Sequence, residues 1–441
     1  MRPYIIVTIL LLIHISSNGY AYDVTASPSF WIDRLDNHDA VLMDADKIYK
    51  FNDSTITSID QMAKIEEMYR TISGSKIKQY LTHDPLPVDK KRFDKNGRKI
   101  GQRFFRELEE NINLEGAEDI TEIRFGVITN TADIRAFPTI EPIREYPNSK
   151  DFDTIQYSKI YPPSIVALLH VSKDKKWGFF QASFVRGWIR LNDVAFAKDR
   201  DEILPDNNQF LIITGSFVDV YEDRELKKIL ERLPMGTRLS ITGEDEKRWI
   251  VAFPYKTKDS KLLIRGSAYI SKTSDVNKGF LPYTKKNIIQ QAFKTLGEGY
   301  GWGNIHGKRD CSSFIKDVFA TVGIYLPRNS RQQISTGKLL GHTDNGSSAN
   351  DLKEAVKSAV PGITLIGLNG HIMLYLGKFD NRDYVIHSLF GYGDADGFKA
   401  VNSTVVTDLN LGSRTKSGAF INRLKGITLV TNEPQTKDSP Q

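Results

Sequence analysis

Cys311 is the only cysteine among the 441 residues, and it lies in the polar run Asp310-Cys311-Ser312-Ser313. Apolar side chains then recur at helical spacing up to Val322, which predicts an amphipathic helix that begins at this run. A helix N-terminus stabilises a thiolate, and its free N–H groups also stabilise an oxyanion. A lone cysteine is otherwise an inert buried residue or half of an intermolecular bridge. The polar neighbours favour a site that faces a cleft, and therefore a nucleophile.

Two histidines on predicted strands supply the base that a cysteine nucleophile needs. His371 opens the strand 370–377, and His387 lies in the strand 384–388. If the loop 378–383 closes an antiparallel hairpin, the two imidazoles become opposite or diagonal neighbours. A nucleophile, a base and a polar group that orients the base form a catalytic triad. No CxxC or HExxH spacing accompanies these residues, which disfavours a zinc site, and we expect no cofactor.

Short motifs around these residues resemble the NlpC family of papain-like cell-wall peptidases. In the family's order they are Ala292 to Gly297 with Tyr300-Gly301-Trp302-Gly303, Asp310 to Ser313, Leu326 to Gln333, and Gly370 to Gly377. The resemblance implies that Cys311 is the nucleophile and His371 the general base and later the acid. It also implies that His387 orients His371.

The same resemblance implies a set of substrate-binding residues. Tyr300 matches a tyrosine whose hydroxyl lies near the oxyanion, and Asp310 matches a residue that meets the free amine of a terminal L-alanine. Ser312 and Ser330 match residues that contact the D-glutamyl carboxylate. Asp310 is also a plausible helix cap, and Ser330 could simply cap the segment after Pro327.

The residues with chemistry belong to a predicted α+β domain at 279–431. Upstream, two sets of short β-rich runs, each with a tryptophan-containing strand, predict a duplicated all-β module. These sets resemble bacterial SH3-like domains, and we place them at 116–200 and 201–278. The predicted fold class is a multidomain α+β protein, in which two small SH3-like β-barrels precede a papain-like NlpC catalytic domain.

The remaining segments have simpler patterns. Residues 22–115 are predicted to form a helical, stabilising N-terminal region, and the polar residues 432–441 a disordered tail. Within the first segment, apolar residues at three- and four-residue steps predict one helical face: Ile59, Met62, Ile65, Met68 and Ile72.

The first residues predict export from the cell. Arg2, the apolar stretch Tyr4 to Ile15 and the small residues of Gly19-Tyr20-Ala21 are typical of a cleaved signal peptide, residues 1–21. An uncleaved membrane anchor is the alternative. The net charge of +6 and the pI near 9.0 suit an anionic cell envelope. Basic residues form no stripe with interleaved aromatic residues, so we expect no nucleic-acid partner.

These features favour a periplasmic or secreted cysteine peptidase that hydrolyses peptidoglycan stem peptides. The resemblance implies cleavage between γ-D-glutamate and the next diamino acid through a thioester acyl-enzyme. Two barrels beside the site would restrict the cleft, which favours small murein peptides over intact wall. We expect a monomer with no membrane span after signal cleavage. The alternatives are an acyltransferase or transglutaminase-like enzyme and a non-catalytic wall-binding protein. The diamino acid that the enzyme accepts stays open.

Overall fold

A computed structural model describes residues 24–203 and 209–432. The predicted signal peptide at 1–21 and residues 433–441 of the predicted tail lie outside the described residues. Within the described ranges, no helix is both long enough and apolar enough to cross a membrane.

The segment before the barrels is mostly helical and packs on two different cores. Its elements are α1 (Pro28–Ile32), α2 (Ala45–Ser58), α3 (Gly74–Leu81) and α4 (Gln102–Ile112), with the antiparallel strands β1 (Thr71–Ser73) and β2 (Ile120–Glu122). Trp31 of α1 and Phe51 of α2 belong to the apolar core that contains Cys311. Phe105 and Leu108 of α4 belong instead to the core of the first barrel.

The helix predicted from Ile59 to Ile72 does not form, so that prediction is wrong. Helix α2 ends at Ser58, and the chain continues through turns, a 3₁₀ turn at Ile65–Glu67 and β1. Its backbone bonds to its neighbours instead: the amide of Ala63 donates to the carbonyl of Ser183 at 3.2 Å. The apolar residues of this stretch are therefore spaced to cover the first barrel and do not mark one face of a helix.

Two seven-stranded antiparallel sheets follow, which we call the first and the second barrel. Their strands occupy the predicted β-rich regions. The first contains β3 (Arg124–Ile128), β4 (Ala132–Arg135), β5 (Gln156–Ile160), β6 (Ile165–Val171), β7 (Trp177–Ala182), β8 (Arg186–Arg190) and β9 (Val194–Phe196). The second contains β10 (Phe210–Ile213), β11 (Phe217–Tyr221), β12 (Ile229–Pro234), β13 (Arg238–Glu244), β14 (Arg248–Lys256), β15 (Leu263–Ser271) and β16 (Val276–Lys278).

The two sheets share one topology. Their spatial orders are β5-β4-β8-β7-β6-β3-β9 and β12-β11-β15-β14-β13-β10-β16. Counted within each sheet, the strands follow the same order, 3-2-6-5-4-1-7. The observed topology is the one expected of a duplicated module.

The last part of the chain is a mixed α+β unit built on one antiparallel sheet. Its elements are α5 (Lys285–Phe293), α6 (Cys311–Ala320), α7 (Ser330–Gln333), β17 (Lys338–His342), α8 (Ala349–Val356), β18 (Thr364–Leu368), β19 (His371–Phe379), β20 (Arg382–Asp394), β21 (Gly397–Asp408) and β22 (Gly426–Leu429). The sheet order is β17-β22-β18-β19-β20-β21. The apolar face of α6 packs against Leu374 and Ile386 of the central strands, while α8 and Phe420 cover the opposite face of the sheet.

Truncation of Trp31 tests whether the N-terminal segment is part of the peptidase core. Trp31 is 1% exposed, and its indole N–H donates to the carbonyl of Thr25 at 2.8 Å. We expect Trp31→Ala to lower the free energy of unfolding by about 3–5 kcal/mol, because it leaves a large cavity. Urea unfolding followed by circular dichroism measures the change. The control, Tyr69→Ala, truncates a side chain that is 87% exposed and should cost less than about 0.5 kcal/mol. Equal losses in both variants would contradict this assignment.

Candidate active site

Cys311 is the first residue of α6, and Asp310 caps that helix. The carboxylate of Asp310 accepts a hydrogen bond from the amide of Ser313 at 2.9 Å, and the Ser313 hydroxyl accepts one from the amide of Asp310 at 2.9 Å. This reciprocal capping box fixes where the helix begins. The prediction of a helix that starts at this run, with Asp310 as a cap, is confirmed. Cys311 itself is 6% exposed.

The carboxylate of Asp310 is buried in a closed polar cluster around Arg328. The guanidinium donates to both oxygens of the carboxylate, at 2.5 and 3.1 Å. It also donates to the Ser312 hydroxyl at 2.7 Å, to the Asn304 side-chain oxygen at 2.9 Å and to the Ser158 hydroxyl at 2.9 Å. Burial opposes the ionisation of Asp310, but the charge and hydrogen bonds of Arg328 outweigh it, so the pKa of Asp310 lies below its usual value.

Arg328 was missed as a site residue, although it lies inside the quoted motif from Leu326 to Gln333. Its side chain is buried, and an arginine is rarely buried without a charged partner. The sequence signal was its position directly after the apolar pair Leu326-Pro327, which draws the guanidinium into the interior. That position does not identify the partner.

Both barrels contact the segment that carries the nucleophile. From the first barrel, Ser158 of β5 binds Arg328 and through it Asp310. From the second barrel, Ser216 accepts two hydrogen bonds from the Arg309 guanidinium, at 2.7 Å through its carbonyl and 2.9 Å through its hydroxyl. Arg309 is 2% exposed. The residues just before Cys311 are therefore held from two sides.

His371 and His387 lie in contact, as the hairpin prediction required. Nε2 of His371 is 2.7 Å from Nδ1 of His387, and the ring centroids are 5.0 Å apart. Leu374 pairs with Ile386 between β19 and β20, so the two histidines are diagonal neighbours on one face. The hairpin closes through Asp380-Asn381, whose φ angles of 47° and 57° suit a two-residue turn.

The thiol lies at the beginning of the strand that His371 opens. The backbone amide of Ile372 lies near the sulfur of Cys311 and acts to lower the pKa of the thiol. Because Nε2 of His371 is engaged by His387, Nδ1 is the ring nitrogen left for the thiol. Cys311 and the two imidazoles come from three separate elements, α6, β19 and β20.

Nucleophile and base are both uncharged in this environment. Burial and the carboxylate of Asp310 raise the pKa of the Cys311 thiol to about 12. Burial lowers the pKa of His371 to about 4, although Asp310 acts in the opposite direction. Burial and the neighbouring carboxylate therefore act against the thiolate that the helix N-terminus favours. The thiolate has to form as its proton moves to His371.

Tyr300 lies beside the thiol and in an aromatic cluster. Burial raises its pKa, and the nearby thiol of Cys311 and carboxylate of Asp310 act in the same direction. Its ring packs on Phe390 at 5.7 Å and on Phe152 of the first barrel at 6.2 Å. The position next to Cys311 fits the residue predicted to lie near the oxyanion.

The two predicted serines occupy different settings. The hydroxyl of Ser312 points into the polar cluster and donates to Asp310 at 3.2 Å. Ser330 is half-buried and is the first residue of α7. The cap of α7 is Asn329, whose side-chain oxygen accepts from the amide of Arg331 at 2.8 Å, so the alternative in which Ser330 is the cap is wrong. Among the described residues, no group of three or more His, Cys, Asp or Glu side chains is arranged to hold a metal ion.

Comparisons with known proteins agree with this geometry. Residues 297–395 match the model of the NlpC/P60 family, and residues 144–190 match that of the SH3 domain, SH3b1 type. No curated protein has a significant sequence match to the chain. An NlpC/P60 endopeptidase from Photobacterium damselae subsp. piscicida is similar in structure, with a TM-score of 0.72 and 19% identity over 92% of this chain and 97% of that one. The structure of an NlpC/P60 family protein from Bacillus cereus ATCC 10987 has a TM-score of 0.49 and 16% sequence identity to this chain, over 70% of this chain and 100% of that one.

The chain thus contains an NlpC/P60 domain preceded by an SH3 domain of the SH3b1 type. Proteins of the NlpC/P60 family are cysteine peptidases, and this chain is an enzyme of that class. The SH3b match falls within the first of the two seven-stranded sheets.

Removal of the Arg328 charge tests the buried ion pair. We expect Arg328→Met to lower the free energy of unfolding by about 3–5 kcal/mol, because it leaves the Asp310 carboxylate buried without its partner. The control is Arg103→Met, which breaks an exposed pair with Glu107 at 2.7 Å and should leave the free energy of unfolding almost unchanged. Urea unfolding measures both. A cost for Arg328→Met no greater than the control would show that Asp310 does not depend on Arg328.

The lowered pKa of His371 predicts a loss of stability in acid. The folded protein binds this proton less readily than the unfolded chain, whose histidine titrates near 6.5. The contribution of neutral His371 is therefore complete above about pH 6.5 and is lost as the pH falls toward about 4. Between about pH 7 and about pH 4.5, the free energy of unfolding of the wild type should fall by about 2 kcal/mol more than that of His371→Gln. Parallel falls in urea titrations would show that His371 titrates normally.

Proposed function

We propose that this enzyme hydrolyses peptidoglycan stem peptides at the bond between γ-D-glutamate and the adjacent diamino acid, through a thioester. The single observation that carries the proposal is the 2.7 Å contact between His371 and His387 beside a thiol at a helix N-terminus. This arrangement supplies a nucleophile, a base and a residue that orients the base.

Acylation starts from the neutral pair. As the sulfur of Cys311 attacks the γ-carbonyl carbon of D-glutamate, Nδ1 of His371 takes the thiol proton. The carbonyl oxygen becomes an oxyanion, for which the first-turn amides of α6 and the Tyr300 hydroxyl are the proposed donors. When the tetrahedral intermediate collapses, the C–N bond breaks and His371 returns its proton to the leaving amine. The products of this half-reaction are the thioester and the free diamino acid or peptide.

Deacylation repeats the sequence with water. His371 takes a proton from a water molecule as its oxygen attacks the thioester carbon, and the C–S bond then breaks. The proton goes back to the departing sulfur, which restores the neutral Cys311 thiol and releases the γ-carboxylate of D-glutamate. His387 holds the ring of His371 in one orientation through both half-reactions.

We assign the free amine of the substrate to Asp310 and the D-glutamyl carboxylate to Ser312 and Ser330. Five donors already reach the Asp310 carboxylate: the amides of Gly303 and Ser313, the Ser312 hydroxyl and two N–H groups of Arg328. The bond from Ser312, the longest at 3.2 Å, is the one that an incoming ammonium would replace. Its hydroxyl would then be free to donate to the D-glutamyl carboxylate.

The first barrel supports a preference for small peptides. Phe152, in the loop between β4 and β5, packs against Trp302 at 5.4 Å and Phe390 at 4.5 Å, both from the peptidase unit. This aromatic contact reaches Tyr300 and so narrows the approach to the thiol from that side. We propose free murein peptides with an N-terminal alanine as substrates and a periplasmic or secreted location.

Turnover of a free stem peptide and of intact sacculi tests the proposed bond and the proposed substrate size. Incubation with L-Ala-γ-D-Glu-diaminopimelate should release the dipeptide and the free diamino acid, whereas intact sacculi should release no soluble fragment; mass spectrometry reads both. The same tripeptide with an acetylated N-terminus should be cleaved far more slowly.

Cys311→Ala should abolish turnover and keep the circular dichroism spectrum of the wild type. Unchanged turnover in that variant would rule out the mechanism, and release from sacculi alone would reverse the assignment of substrate size.

A further inference from the structure

A third side chain extends the line of hydrogen bonds formed by the two histidines. Thr407 lies in β21 and is half-buried, with its hydroxyl oxygen 3.0 Å from Nε2 of His387. Val385 pairs with Thr407 and His387 pairs with Val405, so Thr407 is the diagonal neighbour of His387 on the same face. Three adjacent strands therefore present His371, His387 and Thr407 as a continuous chain.

We infer that Thr407 is a positioning residue that sets the proton arrangement of both histidines, so that His371 can act as the base. The inference rests on the proposed chemistry of Cys311. Nδ1 of His371 accepts the thiol proton only if it carries none itself, so the neutral ring has its proton on Nε2. That N–H donates to Nδ1 of His387. The proton of His387 then lies on Nε2, and the Thr407 oxygen accepts its hydrogen bond.

The opposite arrangement inactivates the base. If His387 donates from its Nδ1, then Nε2 of His371 has to accept. The proton of His371 then lies on Nδ1 of His371, which is the nitrogen left for the thiol. Both rings have lowered pKa values through burial, so each is neutral and these two arrangements compete. The protein has to favour one of them.

Loss of the threonine hydroxyl would favour the inactive arrangement. In the active proton arrangement, this loss leaves the Nε2–H of His387 without an acceptor, and His387 is 0% exposed. In the inactive arrangement, Nε2 of His387 carries no proton, so the loss leaves only its lone pair without a donor. An unpaired lone pair costs less than an unpaired buried donor. Phe420 packs edge-on against both rings, at 6.4 and 6.2 Å, and closes that side with an apolar group. The hydroxyl can pair with Nε2 of His387 in either arrangement, but it stabilises the active one more, because there it satisfies a buried donor.

The reactivity of the single cysteine provides the first test, and it needs no peptide substrate. Thr407→Val replaces the hydroxyl with a methyl group of similar shape, whereas Thr407→Ser keeps the hydroxyl. We expect Thr407→Val to slow the alkylation of Cys311 by iodoacetamide roughly tenfold to hundredfold, and Thr407→Ser to stay within about twofold of the wild type. Mass spectrometry follows the reaction at one site because no other cysteine is present. Equal rates for Thr407→Val and the wild type would overturn the inference.

The ring protons themselves provide the second test. In nitrogen-15 spectra of selectively labelled protein, wild type and Thr407→Ser should carry the His371 and His387 protons on Nε2. Thr407→Val should carry them on Nδ1. An unchanged proton pattern in Thr407→Val would contradict the inference even if the variant were slow.

A double variant separates positioning from a general structural effect. If Thr407 acts through His387, adding Thr407→Val to His387→Ala should change the alkylation rate by less than about twofold. The full tenfold or greater loss in that background would show an independent role and overturn the inference. In the peptide assay, Thr407→Val should lower kcat and leave KM within about twofold. If the wild type cleaves no stem peptide, the proposed function fails, while alkylation and spectra still decide the role of Thr407.

Discussion

The buried ion pair between Asp310 and Arg328 is the interaction on which the site depends. It joins the N-cap of the nucleophile helix to the segment before α7 and, through Ser158, to a strand of the first barrel. A carboxylate with no partner at this depth would become protonated, and a neutral acid would cap α6 less effectively. Arg328 keeps it ionised, and the capping box then determines where Cys311 lies.

The same carboxylate has a cost for the chemistry. A negative charge next to Cys311 raises the pKa of the thiol, so Asp310 disfavours the thiolate on which the reaction depends. The backbone amide of Ile372 and the positive charge of Arg328 moderate this effect. The site therefore keeps its nucleophile protonated and relies on the arrangement of the imidazoles at the moment of attack. A thiol stored in this form is less exposed to oxidation than a thiolate.

Sequence patterns predicted the structure best where all the residues of the pattern lie within one helix or strand. Strands β3 and β6 lie within the predicted β-rich region 116–200, and the polar run before an apolar helix located α6 and its cap. Residues that depend on distant partners were missed. The role of Arg328 requires Ser158, which lies 170 positions earlier and in another domain. The short strands β4 and β9 have too few residues for a periodic signal.

The protonation state of Cys311 shows why local reasoning was insufficient. The helix N-terminus is a local feature, and it correctly placed the cysteine. Burial beneath the sheet and the ionised neighbour are consequences of the tertiary fold, and together they raise the pKa of the thiol against the effect of the helix. The contact between His371 and His387 was predictable because a two-residue turn connects their strands, whereas the Ile59 to Ile72 stretch takes its conformation from the surface of the barrel.

The packing of Trp31 also limits the order in which the chain can fold. This side chain from the first described helix contacts Tyr384, roughly 350 residues later, and its core includes Val430 near the last described residue. A contact of such sequence separation forms only after the roughly 350 intervening residues have been synthesised. The barrels, whose strands are close in sequence, can assemble earlier. The segment that carries Trp31 must therefore stay unpaired until the final strand arrives, so the nucleophile's core closes last.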